Sequence, residues 1–112
     1  MEEDQIINQT ASVVSGSFEL PFGDKVLSEA ELIELLAARI AEMLEKQPEQ
    51  LMSLLYRLDV LEEKIIPVMH PAAPEPTNIG LARLVVERQK QRIATKRSIK
   101  PDPLEGLEGW EW

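Results

Sequence analysis

The chain contains no cysteine among its 112 residues, which removes disulfides, thiolate metal ligands and thiol catalysis together. Aromatic residues are almost as scarce, at two Phe, one Tyr and two Trp, so any core is built from Leu, Ile, Val and Ala. No aromatic side chain stands between residues 57 and 109, leaving that stretch nothing to stack on a nucleic-acid base. No apolar run approaches the ~18 residues of a membrane span, and no membrane association is expected. The start, Met1-Glu2-Glu3-Asp4-Gln5, is acidic where a secretory signal has a basic residue and an apolar block. A cytoplasmic setting is expected. His70 is the single histidine and has no second ligand at metal spacing; a Gly-rich phosphate loop and a nucleophile-elbow serine are also missing. The clustered polar residues Tyr56, Arg57, Asp59, Glu62, Glu63 and His70 have turn, capping or solvent-facing explanations. The chain reads as non-enzymatic, with no cofactor, no metal and no small-molecule substrate.

What is present is a charge pattern in three blocks. The net charge is −8, but residues 1–79 carry 5 Lys/Arg against 15 Asp/Glu, and residues 80–100 carry 7 against 1. Residues 101–112 carry 4 acids and no base. An acidic body, a basic helix and an acidic tail are three separate electrostatic objects.

The densest apolar run, residues 51–64, organises the helical reading. Before it, Ser28 and Glu31 form a capping-box pattern. Leu32, Ile33, Leu36, Ala37, Ile40, Met43 and Leu44 then fall on one face, with Leu35 a misfit. The pattern predicts a helix over 29–46, with a Glu42–Lys46 pair on its surface. Pro48 ends it and opens the next helix at its first position, whose seam is Leu51, Leu54, Leu55 and Leu58. Asp59 with Glu62 reads as the cap of a third helix, with Leu61, Ile65 and Val68 or Met69 facing inward. Arg57 and Asp59 are expected to pair across the turn. Pro67 predicts that this third helix ends near Ile66 or kinks. Residues 70–76, with three prolines, read as a stiffened connector. Thr77 is placed to cap a last helix over 78–97, with Ile79, Ala82, Val85, Val86, Gln89 and Ile93 on one face. That face has no large apolar residue after Ile93, so the last turns should project beyond the bundle.

Two ends frame this domain. Residues 1–17, with the aliphatic pairs Ile6-Ile7 and Val13-Val14, show no helical period, and residues 1–26 are expected to be a flexible arm. Within the arm, Phe18 to Phe22 alternates apolar and polar; the arm reads as disordered or loosely docked, with a short extended segment that adds to a partner or clamps the core through Phe18 and Phe22 as the alternative. Residues 101–112 end in Leu-Glu-Gly, Leu-Glu-Gly, Trp-Glu-Trp and are expected to be disordered in isolation. Evenly spaced large apolar residues separated by acids suit a peptide that docks on another surface.

Leu54-Leu55-Tyr56-Arg57-Leu58-Asp59-Val60 with Lys64, followed by Val86-Glu87-Arg88-Gln89, carries a resemblance. It resembles a group of short uncharacterised bacterial helical proteins that pair an LLYR(I/L)DV segment with a downstream ERQ helix. The likeness spans roughly residues 29–97. It implies a single helical module and brings no activity with it.

The expectation is an all-α fold, a small bundle of three to four helices over residues 27–100. In the basic helix Arg88, Arg92, Lys96 and Lys100 recur every four residues, with Lys90 and Arg97 beside them. Stacked like charges weaken a helix by a few tenths of a kcal/mol per pair, so something offsets them: the helix C-terminal dipole, a nearby acidic face or tail, or a phosphate backbone. The favoured function is a protein-interaction module, adaptor-like or self-associating, contacting its partner through Arg88, Arg92, Lys96, Arg97, Leu104, Leu107, Trp110 and Trp112. The alternative is a nucleic-acid-binding accessory protein using residues 83–100.

Overall fold

The computed structural model describes residues 2–20 and 28–98, with side chains over 5–20 and 28–96. Among them all regular structure is helical: α1 Glu2–Phe18, α2 Glu29–Lys46, α3 Pro48–Arg57, α4 Glu62–Met69 and α5 Thr77–Ser98. The all-α class is as expected. The bundle has five helices among the described residues, where three to four were expected, and the additional one is α1.

α2 follows from its sequence almost residue for residue. Ser28 Oγ accepts from the Glu31 N–H at 3.1 Å and Glu31 Oε1 accepts from the Ser28 N–H at 2.9 Å, which satisfies two end donors that the helix cannot satisfy itself. Leu32, Leu36, Ala37, Ile40 and Met43 are buried, Ile33 and Leu44 pack at the edge, and Leu35 faces solvent. Glu42 pairs with Arg39 at 2.8 Å rather than with Lys46. At Gln47 the chain turns, and Pro48 opens α3, which seats Leu51 and Leu55 in the core.

The flexible arm is corrected over residues 2–18. α1 packs against both α5 and α2, and Ile7, Ala11, Val14 and Phe18 are buried. Their spacing is helical, but the phase takes only the second residue of each aliphatic pair, Ile6-Ile7 and Val13-Val14. The position between them is Thr10, also buried, whose hydroxyl donates back to the Ile6 carbonyl at 2.7 Å. That bond lets a polar side chain occupy an apolar stripe. The helical domain therefore begins near residue 2 rather than 27. The extended reading of 18–22 also fails where it is described: Phe18 ends α1, and Glu19 is left-handed at φ 57°. Phe22 lies outside the described residues.

α4 continues through Pro67 to Met69. The His70 N–H donates to the Pro67 carbonyl at 3.4 Å, closing the helix in a short turn soon after the proline. Of its expected inward residues only Ile65 is buried; Val68 packs at the edge, and Leu61 and Met69 are exposed. The His70 ring accepts from the Ala72 N–H through Nδ1 at 3.0 Å, a local turn role. Thr77 does not cap α5. The Pro76 carbonyl accepts the first helical bonds, from Ile79 and Gly80, while the Thr77 hydroxyl donates to the Val68 carbonyl at 3.5 Å.

α5 is the central strut, packed on α2, α1 and α4, with Leu81, Ala82, Val85 and Val86 fully buried. Asn78 Nδ2 ties its first turn to the Ala37 carbonyl of α2 at 3.1 Å. A Cβ at Gly80 would meet Val68 Cγ1 at 2.7 Å, so α4 and α5 cross where a glycine leaves the room. Beyond Gln89 burial falls away, with Ile93 half-buried and Arg92 and Lys96 exposed. The last turns of α5 overhang the core.

Candidate functional site

The overhang begins at a joint between α5 and the end of α3. There the Asp59 N–H donates to the Tyr56 carbonyl and the Val60 N–H to the Leu55 carbonyl, both at 3.0 Å. This is the paired-bond helix ending that needs a left-handed residue just past the cap, and Asp59 supplies it at φ 65°. Val60 and Leu55 are both buried, the apolar contact that accompanies such an ending. Asp59 is thus the terminator of α3, not the cap of α4, whose N-cap is Leu61 with no side-chain bond.

Three residues on two successive turns of α5 hold this ending. Gln89 Nε2, buried, donates to the Leu58 carbonyl at 2.8 Å. Arg88 Nε donates to the Asp59 carbonyl at 3.1 Å. Arg92 Nη1 stands 3.4 Å from the Asp59 carboxylate, so Asp59 pairs with Arg92 rather than with Arg57. The first two use main-chain carbonyls at the helix end, which have no partner within the helix; the third uses the Asp59 side chain. The Leu54–Val60 segment and the Glu87-Arg88-Gln89 segment, about thirty residues apart in the chain, are therefore two halves of one hydrogen-bonded joint.

Most of the basic helix is engaged inside the molecule. Arg88 also donates to Gln91 Oε1 at 2.9 Å, Lys90 meets Glu29 at 2.8 Å, and Arg83 meets Glu75 at 3.0 Å. Glu29 lies in the first turn of α2, so an acidic group of the 29–46 helix does offset part of the cation ladder. Lys96 is exposed and has no ion pair among the described residues. Arg97 lies in α5, but its side chain falls outside the described residues, as do Leu104, Leu107, Trp110 and Trp112.

Beside the overhang runs an open groove of about 600 Å³ between α1 and α5, lined among others by Val13, Leu58, Ile93, Arg92 and Lys96. Val13 is the α1 residue that its sequence pattern did not single out. It is 40% exposed because the stripe Ile7-Ala11-Val14-Phe18 turns it away from the core and toward Ile93 and Lys96. The floor of the groove is apolar and its α5 rim is cationic. Gln89 was placed on the inward face by the sequence, but its role is visible only once the Leu58 carbonyl is opposite it. Among the described residues no three His, Asp or Glu side chains converge to hold a metal ion, and no helix is long and apolar enough to cross a membrane. No family model, curated protein or solved structure matches the chain.

Proposed function

We propose that the chain is a small non-enzymatic protein-interaction module, adaptor-like or self-associating, whose contact surface is the distal part of α5 together with the acidic tryptophan tail. The observation that carries the reading is the groove between α1 and α5, which sets Val13 and Ile93 beside Arg92 and Lys96. An apolar floor under a cationic rim fits a peptide that alternates large apolar and acidic residues, and such interfaces draw their affinity from a few buried anchors. The four partner-facing cations named from the sequence do not contribute alike. Arg88 and Arg92 are drawn toward the Asp59 turn, so Lys96 is the described cation most available to a partner.

The test is deletion of residues 101–112, read by light scattering and by affinity capture from the native cell. Either the oligomer size or the set of captured proteins should change. No change in either overturns the reading. Binding to nucleic acid that falls steeply with salt, and weakens alike for all sequences on neutralising Arg92 and Lys96, would put the nucleic-acid alternative in its place.

A further inference from the structure

The chain carries a segment with the chemistry that the groove lacks. Residues 104–112 present Leu104, Leu107, Trp110 and Trp112 with Glu105, Glu108 and Glu111 between them. No Lys or Arg falls within 101–112. We propose that residues 104–112 occupy the α1–α5 groove of their own chain, with the large apolar side chains over Val13 and Ile93 and the glutamates along Arg92 and Lys96. The inference deepens the interaction reading above, because it names the tail as the groove's resident occupant and makes an outside partner its competitor.

Reach permits it. Ser98 is the last described residue of α5 and stands two positions after Lys96. The fourteen residues that follow extend to at most ~45–50 Å, whereas the rim from Lys96 back to Arg88 covers about 12 Å of helix axis. Pro101 and Pro103 oppose continuation of the helix past this point, which favours a change of chain direction there. The groove leaves apolar surface uncovered: among the described side chains of α1, Val13 is the exposed large apolar one, and it stands next to a half-buried Ile93.

Tethering decides between the chain's own tail and that of a second copy. A short flexible tether gives an effective concentration of about 1 mM. A tail whose intrinsic dissociation constant for the groove is as weak as ~0.1 mM then fills it about ten to one in cis. A second copy at micromolar concentration does not compete with that.

Both tryptophans of the protein lie in this segment, so the intrinsic tryptophan emission of the full chain reports the tail alone. The emission should be blue-shifted, and quenched several-fold less by iodide, relative to a free peptide of residues 99–112. Both features should survive dilution. Lys96→Glu, an exposed position, should return emission and quenching toward the free peptide while circular dichroism stays unchanged. Adding Glu108→Lys and Glu111→Lys to Lys96→Glu should restore protection. Free-peptide emission in the unsubstituted chain overturns the proposal, even if removing the tail still alters partner capture. Protection that disappears on dilution overturns it as well, since the tail would then be held by another copy. Protection indifferent to Lys96→Glu and to Val13→Asp places the tail elsewhere and also overturns it.

Discussion

Two helices of this protein end in the same way and are held in different ways. α1 and α3 each close with an acidic residue in the left-handed region, Glu19 and Asp59. In each, the amide just after the left-handed residue reaches back five positions: Leu20 to Ser15 at 2.9 Å and Val60 to Leu55 at 3.0 Å. Each turn then meets an arginine. Arg39 Nε donates to the Phe18 carbonyl at 3.0 Å, and its guanidinium stands 3.9 Å from Glu19. The Asp59 turn engages three α5 side chains, one of them buried. Glu19 is 83% exposed at its side chain, so its contact with Arg39 adds little. The comparison separates an ending that anchors a helix to the bundle from one that joins two helices at the base of the proposed contact surface.

The two endings should differ most when the anchor of the first turn is removed. Phe18 is buried at the C-terminal end of α1. Phe18→Ala should cost about 3–5 kcal/mol and lower the melting temperature by well over ten degrees in a domain of this size. A dispensable arm would give almost no change, so calorimetry decides between an arm and a core helix. The corresponding change at the second turn is smaller. Gln89→Leu keeps the bulk but leaves the Leu58 carbonyl without its buried donor, which should cost about 1–3 kcal/mol. A double-mutant cycle with Asp59→Ala should show coupling, because both act on one turn.

How much of this was readable depends on whether a residue's role is local. α2 was legible to its ends because its capping box and apolar arc lie within residues 28–46. α1 was not, because two of its five described buried residues are small or polar: Ala11 and Thr10 sit where larger apolar residues would declare a period. Its Ser, Thr, Asn and Gly content is poor for an isolated helix. Packing against α5 and α2 supplies what propensity does not. Asp59 departs from its sequence pattern for a different reason. Asp suits both a helix start and a left-handed turn, and the choice shows only in the bonds of Asp59 to Tyr56 and Val60 to Leu55 and in the α5 side chains that meet the turn. The overhang of α5, by contrast, could be read from the end of its apolar face at Ile93. The groove could not, because it needs Val13, whose orientation depends on the phase of α1.

The left-handed residues themselves offer a finer test. A non-glycine side chain in this region costs roughly 1–2 kcal/mol, less for Asp, whose short polar side chain tolerates it better than Glu. Glu19→Gly should therefore stabilise the fold by up to about 1 kcal/mol, since it removes the strain and forfeits only an exposed contact with Arg39. Asp59→Gly gains less and also loses the carboxylate that faces Arg92, so it should be close to neutral. Chemical denaturation of the two variants side by side measures the difference. Equal effects would mean that neither the tolerance of Asp for the left-handed region nor the Asp59–Arg92 contact separates the two turns.

Arg92→Gln isolates that contribution from the other side. Arg92 and Asp59 are both about half exposed, so their pair is worth ~0–1 kcal/mol and is screened by added salt. The substitution should cost a few tenths of a kcal/mol at low ionic strength, and the cost should vanish at high salt. The same substitution should loosen the tail, because Arg92 lies on the rim of the groove. Stability and tryptophan emission then report two roles of one guanidinium. If emission moves while stability does not, Arg92 belongs to the contact surface more than to the turn. If stability alone moves, the joint holds Arg92 inward, and Lys96 carries the described rim without it.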